Sequence, residues 1–149
     1  MHIWVDADAC PNMIKEVLFK TAMRRNIEMT LVANTNVCTP SSPLINSIRV
    51  SAGFNVADDE IARLAVAGDL VITADIPLAD KIVTKGAIGL NPRGELYTVD
   101  NIKGLLSMRN LMEELRTGGL ASGGPAPLGP KDKQKFTNQL DKFLTQNLK

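Results

Sequence analysis

Three aspartates follow two apolar segments of the sequence, near the points where those segments end. Asp6 and Asp8 come at the end of segment 2–6, and Asp75 comes just after segment 70–73. Carboxylates that are crowded together repel each other and lose hydration unless a cation neutralises them. Hard oxygen ligands of this kind favour Mg²⁺ or Mn²⁺ over Zn²⁺. The three aspartates therefore predict a Mg²⁺ or Mn²⁺ site, provided that the fold brings them together.

A fourth acid is expected from the helix predicted over 56–67, which carries Asp58 and Asp59 near its start. With Ile61 facing the core, a helical wheel places Asp58 at the edge of the inward stripe. Asp59 falls about 160° away from Ile61 at 100° per residue. Asp58 is therefore the better candidate for the site, and the helix dipole is the more economical explanation of Asp59. Asp80, inside the next helix, is expected to be a surface acid.

Short β-rich segments alternate with amphipathic segments along the whole chain. Strands are predicted over 2–6, 27–33, 48–51, 70–73 and 87–90, and helices over 11–22, 56–67, 77–85, 101–117 and 131–149. This alternation predicts right-handed βαβ units in a three-layer α/β/α fold with a mostly parallel, Rossmann-like sheet. Ligands of such sheets bind at the carboxyl ends of the strands, which is where the aspartates are predicted to lie.

The length of 149 residues predicts one domain, with a body over 1–117. Segment 118–130 holds five glycines and three prolines, which is typical of a mobile connector. The last segment, 131–149, has apolar residues at helical spacing and is predicted to dock back on the same domain.

Charge is unevenly distributed along the chain, although the net charge is only +1. Residues 1–100 hold nine basic and twelve acidic side chains, whereas residues 101–149 hold eight and four. An acidic body with a basic tail suits a site that handles a polyanion, and a chance fluctuation on a solvated surface accounts for it equally well. The small net charge excludes a strongly basic nucleic-acid coat protein.

Several basic residues are candidates for contacts with phosphates around the acidic site. They are Arg93, Arg109, Arg116, Lys131, Lys133 and Lys135. For any single one of these residues, a role in keeping a helix surface soluble explains its presence equally well. Aromatic residues make up only 4% of the chain, so backbone-dominated binding that tolerates any sequence is expected rather than base stacking.

Cysteine and histidine chemistry has little support in the sequence. Two cysteines are too few for a disulfide framework. Cys10 does not begin a C-x-x-C motif, because Met13 stands where the second cysteine would be. It does not begin a phosphatase C-x5-R motif either, because Glu16 stands where the arginine would be. Cys10 is therefore predicted to be a packed or capping residue. His2, the only histidine, is expected at the surface. No apolar run approaches a membrane span and no signal peptide is apparent, so a cytoplasmic protein without membrane contact is expected.

The longest motifs of the chain resemble those of the bacterial YaiI/YqxD family of uncharacterised proteins. The resemblance runs from Ile3 to about Leu144, and DADACP and GDLVITADIPLA are its most specific motifs. The matching segments are IWVDADACP, LVANT with SSPLI, VADDEIA, GDLVITADIPLA, KGAIGLNPRGE and TGGLASGGPAPLGPKDKQKFTNQLD. That family is similar to the PIN-like nucleases, which implies a PIN-like fold and a metal-dependent hydrolase that cuts RNA phosphodiesters.

The resemblance also implies roles for individual residues. Asp6 matches the acid that ends the first strand of a PIN-like nuclease, Asp58 or Asp59 the acid of a middle helix, and Thr73 with Asp75 the segment after the fourth strand. Asp80 matches a further acid weakly. Asp6, Asp58, Asp59 and Asp75 would then hold Mg²⁺ or Mn²⁺, with Asp6, Asp8 and Asp75 as catalytic residues. The residues expected to contact substrate are Thr73, Arg93, Lys131 and Lys133.

Two other functions fit the same residues. One is a non-catalytic module that binds nucleic acid or a nucleotide with the same fold, in an oligomeric state that the sequence leaves open. The other is a haloacid-dehalogenase-type phosphatase, in which the first aspartate of the Asp6–Asp8 pair would be the nucleophile. Such a phosphatase needs an acidic pair after a strand, whereas Asp69 precedes one. No glycine-rich phosphate loop is present in the sequence.

Overall fold

The structure of the protein, a computed structural model, describes residues 1–53, 55–119 and 127–147. Within these residues six strands form one sheet. They are β1 His2–Asp6, β2 Glu28–Ala33, β3 Ile45–Arg49, β4 Leu70–Ile72, β5 Ile88–Leu90 and β6 Leu96–Tyr97. The helices are α1 Asn12–Arg25, α2 Val56–Leu64, α3 Ile76–Thr84, α4 Ile102–Thr117 and α5 Pro130–Asn147.

The sheet has the order β3-β2-β1-β4-β5-β6, and all neighbouring pairs are parallel except β5 with β6. The predicted α/β fold with a mostly parallel sheet is therefore confirmed. The neighbours β1 and β4 lie in the middle, with Val5 paired with Ile72. The chain turns at the carboxyl ends of both strands on the same edge of the sheet, which brings the following residues together.

Helices cover both faces of the sheet, and the alternation of side chains along each strand divides the core in two. In β4, Leu70 and Ile72 pack with α1 and α5, whereas Val71 packs with α2, α3 and the start of α4. Among the described residues no helix is both long enough and apolar enough to cross a membrane.

Three local differences separate the observed elements from the predicted ones. Strand β3 is Ile45–Arg49 rather than 48–51, because its exposed residues Asn46 and Ser47 hide the pattern at this edge of the sheet. The two-residue strand β6 is too short to give a sequence signal. His2 is the first residue of β1 and is half-buried, with its ring centroid 4.3 Å from that of Trp4, so it is less exposed than an ordinary surface residue.

The C-terminal helix α5 packs against α1. Its buried residues are Phe136, Leu140, Phe143 and Leu144, and they belong to the same apolar cluster as α1. At the surface, the Arg24 guanidinium lies 2.7 Å from the Asp141 carboxylate. The helix thus completes one layer of the domain. Residues 120–126 of the segment expected to form a connector, and residues 148–149, lie outside the described part of the chain.

Gly94 allows the turn between β5 and β6 to contact α5. Its φ is +89°, a conformation that side chains disfavour, and its amide donates to the Asn91 carbonyl at 2.9 Å. A Cβ at this position would lie 2.8 Å from backbone atoms of both Lys135 and Phe136. The docking of α5 at the carboxyl edge of the sheet therefore requires glycine here.

We expect Gly94→Ala to lower the free energy of unfolding by about 2–4 kcal/mol, from the left-handed backbone and the clash with α5. The matched control is Gly104→Ala in α4, where a Cβ meets nothing within 4 Å. That substitution should stabilise the protein by about 0.5–1 kcal/mol. Urea unfolding of both variants checks the prediction, and equal effects of the two substitutions would contradict it.

Candidate functional site

Four aspartates from separate segments line one pocket at the carboxyl edge of the sheet. Asp6 ends β1, Asp75 precedes α3, Asp58 lies in the first turn of α2, and Asp8 belongs to a 3-10 turn over Ala7–Ala9. The pocket has a volume of about 380 Å³. Its lining is completed by Ala9, Gly53, Asn55, Val56, Ala57 and Ala74.

The hydroxyl of Thr73 links two of these aspartates. Thr73 is only 1% exposed, and its Oγ1 donates to Asp6 Oδ2 at 3.0 Å while accepting from the amide of Asp75 at 2.9 Å. The Asp75 carboxylate caps α3 by accepting from the amide of Leu78 at 2.9 Å. The buried hydroxyl is thus engaged on both sides and positions the two acids, while the expected contact of Thr73 with substrate stays a prediction.

Asp8 lies at the mouth of the pocket, where it is exposed. Its carboxylate accepts from the amide of Asn34 at 2.8 Å and from the hydroxyl of Thr35 at 3.1 Å. These two bonds tie the loop after β2 to the 3-10 turn after β1. The carboxylate therefore has a fixed place beside the pocket.

Burial and mutual repulsion make the acidic pocket costly in its ionised form. Burial raises the pKa of Asp58 to about 7, helped by its hydrogen bond with Asp75 and by the charges of Asp6, Asp75 and Asp59. Burial also raises the pKa of Asp6, as do the charges of Asp75 and Asp8, while the Thr73 hydrogen bond opposes the change. A cation in the pocket would relieve both effects.

The polar side chains that line the pocket are four carboxylates and the amide of Asn55, and such oxygen donors suit a hard divalent cation. Among the described residues, however, no group of three or more acidic, histidine or cysteine side chains has the geometry to hold one ion. Mg²⁺ is commonly held by one or two carboxylates while it keeps several waters. The pocket therefore fits a largely hydrated Mg²⁺ better than a closed, all-protein cage.

Two acids considered from the sequence lie outside this pocket. Asp59 is exposed, and its carboxylate lies 3.5 Å from Nζ of Lys81. Asp80 accepts a hydrogen bond of 2.8 Å from Nζ of Lys103. Of the two neighbouring aspartates in α2, the structure thus brings only Asp58 to the pocket.

The basic residues expected to contact substrate are also placed elsewhere. Arg93, in the turn between β5 and β6, lies 3.3 Å from the Asp132 carboxylate of α5. Lys131 and Lys133 are exposed on α5, and Lys133 lines a groove between α5 and α1. None of the three lines the acidic pocket.

Sequence analysis missed two residues beside the acids. Asn55 has a left-handed backbone (φ +64°) just before α2 and lines the acidic pocket. Lys81 of α3 lines a smaller chamber next to that pocket, together with Arg109 of α4. The glycine and asparagine at Gly53 and Asn55 are a turn signal that can be detected in the sequence, whereas nothing in the sequence marks Lys81.

Cys10 is buried in the core, in agreement with its prediction as a packed residue. Burial raises the pKa of its thiol to about 12, so the thiol keeps its proton at neutral pH. A protonated thiol is a poor nucleophile and a poor metal ligand. The chemistry of the pocket is therefore that of its carboxylates.

The fold and the pocket define a class: a three-layer α/β domain with an acidic pocket at the carboxyl ends of its central strands. A family model described as DUF188, uncharacterized BCR, YaiI/YqxD family, matches residues 4–146. The chain belongs to this YaiI/YqxD family, as its sequence motifs indicate.

Curated relatives match over almost their whole length. A UPF0178 protein of Maridesulfovibrio salexigens is 73% identical over 99% of this chain and 98% of its own. UPF0178 proteins of Shewanella amazonensis and Pectobacterium atrosepticum are 62% and 56% identical, each over 98% of this chain and over 98% and 97% of their own. No solved structure matches the chain significantly.

The raised pKa of Asp58 predicts a pH-dependent stability. Below its ordinary pKa of 3.8 the carboxyl is protonated in the folded and the unfolded chain, and above about 7 it is ionised in both. Between these values only the folded protein holds the proton, so the group's contribution to stability falls as the pH rises.

Asp58→Asn should therefore stabilise the metal-free protein by about 1–2 kcal/mol at about pH 8, after discounting for solvent screening, and much less at about pH 5. Urea unfolding at the two pH values checks this. Asp59→Asn, at the exposed neighbouring position, is the control and should show a much smaller pH-dependent gain, since the charge of Asp59 is the smallest cause of the raised pKa of Asp58. A gain for Asp58→Asn that does not change with pH would contradict the prediction.

Removing the hydroxyl of Thr73 should destabilise the protein, because the buried Asp6 carboxylate loses a donor. We expect Thr73→Val to cost about 1–3 kcal/mol, more at neutral than at acidic pH because the lost bond opposes the rise in the pKa of Asp6. Thr73→Ser keeps the hydroxyl and is the control. The measurement is urea unfolding, and a Ser variant as unstable as the Val variant would assign the effect to packing instead.

Proposed function

We propose that the protein is a metal-dependent hydrolase of the PIN-like kind that cleaves RNA phosphodiesters. The observation that supports it is the meeting of Asp6, Asp8, Asp58 and Asp75 in one pocket at the carboxyl edge of the sheet. Two of these acids have pKa values raised by burial and by one another. Proteins keep groups in such destabilising surroundings chiefly where function requires them.

Each acid has a role that follows from its position. Asp6, Asp58 and Asp75 would hold a largely hydrated Mg²⁺ or Mn²⁺, one or two of them directly and the others through its waters. Asp8, which is exposed and fixed by the loop after β2, would be a further ligand or orient the attacking water. The bound ion would lower the pKa of its water and neutralise charge on the scissile phosphate. Thr73 is a positioning residue, since it acts through Asp6 and Asp75.

A non-catalytic module that binds nucleic acid or a nucleotide is the second candidate. It is favoured by the absence, in the described parts of the chain, of any three acids arranged to hold one ion. In that case the pocket would bind a hydrated cation and the phosphates that accompany it without turnover. Release of product from RNA in the presence of metal separates the two functions.

A phosphatase with Asp6 as its nucleophile is disfavoured by the geometry. Asp6 is 6% exposed and one of its oxygens already accepts from Thr73, so it presents little of its carboxylate to a substrate. Lysine is also missing from the described residues that line the acidic pocket.

Metal binding predicts a stabilisation of the parent protein. Millimolar Mn²⁺ should raise the melting temperature by several degrees, since a ligand that binds only the folded state stabilises it. The increase should be greater above than below about pH 7, because Asp58 must release its proton to bind the ion. Calorimetry in two buffers of different ionisation enthalpy should detect the released proton.

Cleavage of a labelled single-stranded RNA should require the metal and should fall at least about 100-fold in Asp6→Asn or Asp75→Asn. Asp59→Asn is the matched control in both assays and should keep the metal-induced stabilisation and the cleavage. An unchanged melting temperature together with no heat of binding would refute the metal site. Metal binding without cleavage would favour the non-catalytic module.

A further inference from the structure

A second, smaller chamber adjoins the acidic pocket and shares one wall with it. The chamber has a volume of about 140 Å³ and lies between the start of α2, the first turns of α3 and the middle of α4. Asn55, Asp58 and Asp75 line both spaces. Whatever occupies the chamber therefore lies next to a molecule bound at the acids.

The opposite wall of the chamber is cationic. It is formed by Lys81 of α3 and Arg109 of α4, with the apolar side chains of Pro77 and Leu78 completing the lining. Both cationic side chains are exposed and accessible to a ligand. Arg109 donates to Asn110 Oδ1 at 3.2 Å, which leaves most of its five donors for other partners.

Size and charge together select the kind of ligand. Pockets for drug-sized molecules usually measure about 300–1,000 Å³, so this chamber is suited to a single small group rather than a whole nucleoside. A guanidinium and an ammonium that line one chamber suit the oxygens of a phosphate, to which arginine binds in a bidentate manner.

We propose that Lys81 and Arg109 bind one backbone phosphate of a single-stranded RNA in this chamber, next to the phosphate held at the acidic pocket. The proposal rests on the proposed function for the RNA that carries the phosphate and for the neighbouring phosphate as the one cleaved. A strand that approached the aspartates alone would meet only negative charge. The cationic wall offsets this repulsion and fixes the position of the strand.

Asp59 limits how tightly the chamber binds a phosphate. Its carboxylate lies 3.5 Å from Nζ of Lys81 and competes with the phosphate for that ammonium. Because Asp59 lies outside both the acidic pocket and the chamber lining, its removal should free Lys81 without removing any residue that lines the site. Asp59→Asn is therefore expected to bind RNA more tightly, the reverse of the effect of losing Lys81.

The test measures binding of fluorescent hexauridylate by anisotropy, in Ca²⁺, between about 50 and 200 mM salt. Each phosphate contact contributes about 0.7 to the slope of log affinity against log salt on a single strand. Lys81→Gln with Arg109→Gln, which removes the contact with one phosphate, should make the slope about 0.7 less negative and weaken binding about tenfold or more at low salt. Asp59→Asn should strengthen binding at low salt.

The charge-matched control is Lys20→Gln with Lys142→Gln, exposed residues of α1 and α5 that line neither the pocket nor the chamber. It should keep the slope of the parent. Thermal melting of every variant checks that the exposed substitutions leave the fold intact. Equal changes of slope in the two double variants, or a parent protein that does not bind the RNA, would overturn the proposal.

Cleavage of the same RNA in Mg²⁺, measured separately, distinguishes the two hypotheses. If the chamber variants lose binding but the parent does not cleave, the phosphate site holds and the proposed hydrolase is wrong. If the parent cleaves while the chamber variants bind with the parental affinity and slope, the hydrolase holds and the phosphate site is wrong.

Discussion

One hydroxyl holds the acidic pocket together. Thr73 Oγ1 donates to Asp6 at the end of β1 and accepts from the amide of Asp75, so it fixes the ends of two neighbouring strands relative to each other. The Asp75 carboxylate in turn caps α3, which sets where that helix begins. Since α3 carries Lys81 and packs against α4 with Arg109, both walls of the site depend on this small network.

The network stabilises an arrangement that electrostatics opposes. Burial and repulsion raise the pKa values of Asp6 and Asp58, and only the hydrogen bond from Thr73 acts in the opposite direction at Asp6. The balance suits a pocket that takes up a cation, because binding removes the repulsion that the metal-free protein tolerates. The same balance explains why the cationic residues lie in an adjoining chamber, because an arginine within the acidic pocket would neutralise the acids and compete with the ion.

Local patterns of apolar and polar residues in the sequence were sufficient to predict the fold and part of the site. Alternation of strands and helices was sufficient for the sheet, and the helical wheel separated Asp58, which the structure brings to the pocket, from Asp59, which it does not. Lys81 was beyond such reasoning, since its place depends on how α3 packs against α2 and α4. Strand β3 was misplaced because Asn46 and Ser47 on the sheet edge interrupt the apolar pattern.

Of the two C-terminal helices, α4 rather than α5 brings a basic residue to the acidic site. Lys131 and Lys133 belong to a helix that packs on α1, on the face of the sheet opposite to α2 and α3. Helix α4 instead packs against α3, beside the acids, and brings Arg109 to the chamber. A basic segment can offset the charge of an acidic site only if the packing of the fold places the two next to each other. A count of charges along the sequence contains no information about packing. Asp75 and Lys81 belong to one short segment, as the N-cap of α3 and a residue within it, whereas Arg109 comes from a distant part of the chain. The acidic and cationic residues therefore meet because α4 docks against α3.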